Sequence, residues 1–296
     1  MADYFAPDAL FADHFHRRFR MRKTVFDHLY HGVRSYDDYF ILKKDTVGTI
    51  GFSDYQKCTA ALWMLAYGTT ADSWDEYLWM SERMRRCHGQ ALQGQYQGHA
   101  KKPTIILEAV ASQDLWIWHA FFGMHGCHND INVLQRSSLF ARLTGGKAPP
   151  CHYTVNEHEY NMGYYLVDGI YPPWATFVST ISNPVSQKKA HFAQRQEAAR
   201  KDVEWAFGVL QARFAVVRGP AKQWDPETLW DLMTYCVIMH NMIVEDEGDD
   251  AAATLELRTW VILSNFRTRI RPHLRSLFKC ISKFGINQLT RSRKKI

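Results

Sequence analysis

The sequence lacks several features that would assign a protein to a membrane, secreted or nucleotide-binding class. No apolar run reaches the roughly 18 residues that a membrane-spanning helix needs, and the first residues lack the basic-then-apolar pattern of a secretory signal. The six cysteines include no Cys-x-x-Cys pair, which favours reduced thiols in a cytosolic or nuclear protein. No glycine-rich loop of either phosphate-cradling type is present. We therefore expect no membrane partner.

A short segment rich in histidine does not have the spacing of a zinc site. It contains His119, His125, Cys127 and His128. Their spacing fits no paired-ligand pattern of zinc proteins. We interpret His119 as a hydrogen-bonded histidine of a strand.

Acidic residues are absent from the C-terminal part of the sequence. The net charge of +6 permits nucleic acid as a partner without requiring it, and no acidic residue follows Glu256. Three interpretations of this basic tail stay open. The tail neutralises phosphates, its final run 291–295 is a nuclear import signal, or it is a solvated tail produced by read-through or a misassigned exon. The import signal predicts a nuclear or cytoplasmic-nuclear location.

The N-terminal residues, 8–82, have helical spacing of their apolar side chains and predict an all-helical module over 1–88. Ser53 is a plausible N-cap for a helix ending near Gly68, and a third helix is predicted over 72–80. Helix, glycine-containing turn and helix give a helix-turn-helix-like outline. A helical bundle that packs on a second domain explains the same pattern.

Five basic residues of this module are the best candidates for contacts with DNA phosphates, which position a protein on DNA without specifying sequence. They are Arg17, Arg18, Arg20, Arg22 and Lys23.

The central part of the chain alternates strands and helices, which indicates an α/β or α+β domain. A hairpin of strands 104–111 and 115–122 is predicted, followed by helices over 129–139, 188–214 and 226–245. The acidic run 246–250 then predicts a flexible linker.

Two carboxylates stand out in this domain. Asp168 closes an apolar strand before a Gly/Pro turn, and Glu204 lies in an amphipathic helix, with 35 residues between them. An acid at the end of an apolar strand is well placed at an active-site edge. Carboxylates are also the natural ligands of Mg²⁺, and two such ions about 3.5–4 Å apart commonly cut and join phosphodiesters.

The sequence around these acids resembles that of the plant Harbinger-type transposon proteins, whose DDE transposases use three metal-binding acids. The resemblance covers roughly 10–82 and 91–247 and is carried by segments 107–112, 116–119, 129–134, 165–172 and 238–243. It implies a ribonuclease-H-like DDE domain over 89–247. It also implies DNA cleavage and strand transfer with Mg²⁺ (or Mn²⁺), with Asp168 and Glu204 as two of the three ligands. DNA and a separate DNA-binding protein are the partners that the resemblance implies.

The third acid of the triad is missing. In the family, the first Asp follows a short apolar strand, and this sequence passes from about Glu82 to Ala91 without that segment. Glu108, Asp114 and Asp130 do not stand in a matching motif, and N-capping explains Asp130. We expect weakened metal binding and a catalytically inactive transposase relic. A domesticated DNA- or protein-binding module and a missed exon that hides an active enzyme are the alternatives.

The missing segment also has a consequence for folding. The resemblance makes its strand central to the sheet, so its loss leaves apolar strand edges unpaired. Each stranded buried N–H or C=O costs about 1–3 kcal/mol, against a total stability of roughly 5–15 kcal/mol. We therefore expect a truncated sheet in a marginally stable domain. A cooperative circular dichroism melt above about 45 °C would contradict this. Residues 248–296 are predicted to be an acidic linker and a basic tail.

Overall fold

A computed structural model describes residues 2–6, 11–36, 40–42, 51–69, 105–125, 130–147, 151–218 and 226–251. Contacts between Cα atoms group these residues into two compact units. The first contains the described residues of 1–90 and 209–251, and the second contains those of 91–208. The predicted domain boundaries at 88 and 247 stay a prediction. They come from the family resemblance, whereas the two units come from contacts in space.

The helices and strands follow one another along the chain in a mixed order. They are α1 (Ala2–Phe5), a 3-10 turn (Ala12–His14), α2 (Phe15–Phe19), α3 (Lys23–Tyr36), α4 (Asp54–Tyr67), β1 (Ile105–Ala111), β2 (Ile117–His125), α5 (Asp130–Arg136), α6 (Ser138–Thr144), β3 (Tyr153–Val155), β4 (His158–Tyr160), β5 (Tyr165–Val167), β6 (Phe177–Ser179), α7 (Gln187–Arg213), α8 (Ala215–Arg218) and α9 (Pro226–Ala251).

Helix α4 begins with the N-cap that the sequence predicts. The Ser53 hydroxyl accepts a hydrogen bond from the Gln56 amide, and the Gln56 side chain accepts one from the Ser53 amide. This reciprocal pair is a capping box. The helix ends at Gly68, which has a left-handed conformation that glycine adopts without steric cost.

Aromatic side chains form much of the core of the first unit. Phe15 and Phe19 are buried and stack on each other, and both contact Phe26 of α3. Residues four apart lie on the same face of a helix, so α2 turns Phe15 and Phe19 inward. The intervening Arg17 and Arg18 are exposed.

The prediction of a flexible linker at 246–250 is wrong, because helix α9 continues to Ala251. Thr24 donates to the Asp246 carboxylate at 2.9 Å, and Arg22 donates to the Asp246 backbone carbonyl at 3.4 Å. Glu247 forms an ion pair with Arg213. These partners, on α3, the turn before it and α7, stabilise an acidic helix end that is unfavourable by sequence alone.

Arg213 connects α7 to α9 at a largely buried position. Besides Glu247, its guanidinium contacts the ring Nδ1 of the fully buried His240 at 3.2 Å. Burial lowers the pKa of Arg213, and the neighbouring Glu247 carboxylate opposes that shift.

The strands described in the second unit form three two-stranded sheets. Strands β1 and β2 are antiparallel, which confirms the predicted hairpin, and β3 pairs with β4 in a second hairpin. Strands β5 and β6 are parallel, with Leu166 opposite Val178. The mixture of helices and short strands agrees with the α+β class. A ribonuclease-H-like arrangement stays a prediction.

The core of the second unit lies where α5 and α6 cover β5 and β6. Its buried members are Leu134, Phe140, Val167 and Phe177. Trp174 stacks on Phe177 with ring centroids 4.9 Å apart, so the turn between β5 and β6 is packed against the same core.

The predicted helix over 129–139 is broken into α5 and α6 at Ser137, which has an extended backbone. The fully buried Ser137 hydroxyl donates to Glu108 of β1 at 2.8 Å and lies 3.2 Å from His119 of β2. These contacts explain the break, because a buried hydroxyl, carboxylate and imidazole satisfy one another there. The interpretation of His119 as a hydrogen-bonded histidine of a strand is thereby confirmed.

No helix among the described residues is long and apolar enough to cross a membrane.

Candidate functional site

Asp168 follows strand β5, as the sequence predicts. Val167 is buried, whereas Asp168 is exposed. The Gly169 amide donates to Asp168 Oδ1 at 2.6 Å, and the Tyr171 amide donates to the Asp168 carbonyl at 3.3 Å. The turn thus holds the carboxylate at the carboxyl end of the strand, accessible from solvent.

Helix α7 is fixed to this edge of the sheet by Gln196, a residue that the sequence did not single out. Its Nε2 donates to the carbonyls of Val167 and Val178, at 3.1 and 2.9 Å. The neighbouring Glu197 accepts a hydrogen bond from Thr180. The N-terminal half of α7 therefore lies at the carboxyl ends of β5 and β6. The only signal in the sequence is that Gln196 lies three residues after Ala193, on the face that α7 buries.

Glu204 lies on the same helix and is 61% exposed. Its carboxylate pairs with Arg200, one turn earlier, at 3.2 Å. The adjacent Trp205 is 67% exposed. Burial raises the pKa of the nearby Asp202 carboxyl. An exposed i,i+4 ion pair of this kind contributes little to stability, about 0.3–0.5 kcal/mol.

The metal site that the sequence predicts at Asp168 and Glu204 stays a prediction. No hydrogen bond joins Asp168 to Glu204 within the part of the chain that is described. Among those residues, no three His, Cys, Asp or Glu side chains lie close enough together to hold a metal ion. Carboxylates suit Mg²⁺ chemically, but a two-metal site needs a third, bridging acid. The described donor set therefore does not fit such a centre.

The five predicted phosphate contacts have different surroundings. Lys23 pairs with Asp27 at 2.6 Å, and Arg22 lies 3.8 Å from the Asp246 carboxylate. Arg20 packs over the ring of Tyr67, 5.8 Å from its centroid.

Arg17 and Arg18, the other two of the five, are exposed. They are therefore better placed for phosphate than the paired members of the set.

Comparison with known proteins identifies the family. A family model described as plant transposon protein matches residues 68–251, more than half of the chain. The chain belongs to the plant transposon protein family. The predicted resemblance to Harbinger-type proteins is thereby confirmed. A model for a domain of unknown function matches residues 1–34.

A curated relative of this family member is Protein ALP1-like from Arabidopsis thaliana. It is 26% identical over 155 residues, which cover 50% of this chain and 37% of the relative. The match thus spans well under half the length of that protein. No solved structure matches the chain.

Several sequence predictions lie outside the described residues. These are the helix at 72–80, the junction where the first catalytic Asp is missing, and the tail after Ala251.

Proposed function

We propose that this family member derives from a DDE transposase with a ribonuclease-H-like domain, and that it does not cleave DNA. The ancestor would have used Mg²⁺ or Mn²⁺ for strand cleavage and transfer, with Asp168 and Glu204 as two of three ligands. The observation that carries the proposal is the incomplete acid set. The sequence lacks the segment with the first Asp.

The missing acid bears directly on the two-metal reaction. The exposed pair of Glu204 with Arg200 contributes only about 0.3–0.5 kcal/mol and does not prevent metal binding by itself. Two carboxylates without a third leave no ligand that bridges two ions.

A plasmid-nicking assay tests this proposal. Supercoiled DNA is incubated with the full chain in Mg²⁺ or Mn²⁺, beside Asp168→Ala and Glu204→Gln variants. We expect the wild type to nick no faster than either variant. Metal-dependent nicking by the wild type that both substitutions abolish would establish an active enzyme and overturn the proposal.

DNA binding without catalysis is the second candidate function. The exposed Arg17 and Arg18, on a helix whose other face is fixed by Phe15 and Phe19, favour it. Phosphate contacts need only accessible cations, so they do not depend on an intact acid triad.

A nuclear location and a separate DNA-binding partner complete the proposal. The location depends on the basic run at 291–295. Imaging a fluorescently tagged chain with and without that run tests it, because retention in the nucleus after its removal would exclude the run as the import signal.

A further inference from the structure

The turn after strand β5 brings the carboxylate of Asp168 against the amide nitrogen of the next residue. The Gly169 nitrogen lies 2.6 Å from Asp168 Oδ1. Because Oδ1 is bonded directly to Cγ, the same nitrogen is also close to the carboxyl carbon of Asp168. A nitrogen that is held at such short range from a carboxyl carbon is well placed to attack it.

The residue after Asp168 is glycine, which shields its own amide nitrogen less than any other residue does. Glycine has no Cβ and adopts a wider range of backbone angles than other residues, so its nitrogen can turn towards the preceding side chain. The pair at 168–169 is the one Asp-Gly sequence in the chain, and no Asn-Gly sequence occurs. Chemistry that needs such a pair is therefore expected at a single place.

The surroundings leave this pair accessible and leave room for a change in its backbone. Asp168, Gly169 and Ile170 are all exposed. A Cβ added to Gly169 meets no atom of the described residues within 4 Å. The preceding residue is fixed, because Val167 is buried and its carbonyl accepts a hydrogen bond from Gln196 at 3.1 Å. The exposed turn can therefore rearrange while strand β5 keeps its position.

We infer that Asp168 and Gly169 form a site of spontaneous isoaspartate formation in the folded protein. The Gly169 nitrogen attacks Cγ of Asp168 and closes a succinimide ring. The bond between nitrogen and Cγ forms, and the bond from Cγ to one carboxyl oxygen breaks. That oxygen leaves as water, with the amide proton and one proton from solvent. A second water molecule then opens the ring at either carbonyl, which restores aspartate or gives isoaspartate.

Isoaspartate changes the end of strand β5. The main chain then runs through the former side chain and is longer by one methylene group, and the free carboxylate is attached at the α-carbon. The Tyr171 amide donates to the Asp168 carbonyl at 3.3 Å, and this carbonyl becomes part of the free carboxylate. The carboxylate at the strand end is thus displaced. This consequence does not depend on the proposed function.

Methyl labelling of the full chain tests the site. The purified protein is kept in its native state at neutral pH for several days. It is then incubated with protein isoaspartyl methyltransferase and labelled S-adenosylmethionine, which methylates the free carboxylate of isoaspartate. Peptide mapping locates the label. We expect label to accumulate at residue 168. Absence of label there, or label at other positions only, would overturn the inference.

Substitutions of two glycines of the second unit give a matched pair. Gly169→Val should fold, because Gly169 has open space around it and no left-handed backbone. It should lose the label at residue 168, because a β-branched side chain is stiff and covers the amide nitrogen. Gly163→Ala leaves the reacting pair intact and should keep the label. Equal labelling of residue 168 in the Gly169→Val variant and the wild type would overturn the inference.

Two further comparisons separate the turn from other causes. Asp168→Glu needs a larger ring for the same attack, so it should also lose the label, even if Gly169→Val is unstable. The unfolded wild type, kept in urea for the same time, reports the reactivity of the sequence alone. Label at residue 168 in urea but not in the native protein would show that the folded turn protects the pair, and the inference would be wrong.

Discussion

Replacing Gln196 with Glu tests the contact that fixes α7 to the second unit. The side chain is 4% exposed, and its Nε2 donates to the carbonyls of Val167 and Val178. Glu has the same length and nearly the same shape, but an ionised carboxylate cannot donate. The substitution therefore places negative oxygens against two carbonyl oxygens.

The magnitude follows from two terms. Two lost hydrogen bonds cost about 1–3 kcal/mol, and an unpaired buried charge costs about 3 kcal/mol more. We expect Gln196→Glu to destabilise the protein by about 4–6 kcal/mol. Gln196→Met, which loses the donors without adding a charge, should cost about 1–2 kcal/mol. Its smaller cost also reflects the removal of Gln196 Oε1, which is buried without a hydrogen-bond partner.

The effect of Gln196→Glu should depend on pH. The new carboxyl has a pKa of about 4.3 in the unfolded chain, and burial raises that pKa in the folded chain. For an acid whose folded pKa is raised, the destabilisation is absent below the unfolded pKa and complete above the folded one. The difference between the Glu and Met variants should therefore shrink as the pH falls from 7 towards 4.

Urea unfolding followed by far-ultraviolet circular dichroism measures these differences at both pH values. Wild-type stability of Gln196→Glu at pH 7 would refute the reasoning. Equal stability of the Glu and Met variants at every pH would show that the side chain is solvated.

One substitution, at Gly68, and one chemical modification, at Cys58, probe the first unit. Gly68→Ala should destabilise by about 2 kcal/mol, because the left-handed backbone costs about 1–2 kcal/mol and the added Cβ would lie 3.1 Å from backbone atoms of Ala215. Thermal melts should show a smaller loss for Gly146→Ala, a left-handed glycine with open space around it, and equal losses would exclude the packing contribution. Burial raises the pKa of the Cys58 thiol to about 12, so little thiolate, the reactive form, is present at pH 8. Mass-spectrometric mapping should find that iodoacetamide alkylates Cys58 at least about a hundredfold more slowly than the half-buried Cys151. In urea the two rates should be comparable. Fast labelling of Cys58 in the native protein would contradict its burial.

Local sequence patterns predicted the elements that are stabilised by interactions between neighbouring residues. The cap at Ser53, the hairpin after Ala111 and the strand before Asp168 depend on neighbouring residues. Their spacing and turn chemistry are therefore visible without the fold.

Features that depend on contacts between residues far apart in the sequence were not predictable in this way. The acidic run at Asp246 is helical because Arg22 and Thr24, more than 200 residues earlier, contact it. The break at Ser137 depends on Glu108 of another element. Gln196 gave only the signal of its spacing from Ala193, because its partners are backbone carbonyls of strands that lie earlier in the chain.

The candidate site also contains features that the local sequence predicted. Sequence motifs placed Asp168 at a strand end and Glu204 on a helix, and both placements agree with the structure. The pairing of Glu204 with Arg200 follows from helical spacing and could have been foreseen.

The contacts at the end of α9 also set an order of events during synthesis. Arg22 and Asp246 are separated by 224 positions, so α2 and α3 leave the ribosome long before α9 exists. At about 5–20 residues per second, the interval is about 10–45 seconds. The second unit can begin to fold in that time. The apolar surfaces of the first helices that pack on α9 stay exposed until α9 is synthesised, and chaperones can bind them. The contacts of these first helices with α9 are thus among the last native contacts to form.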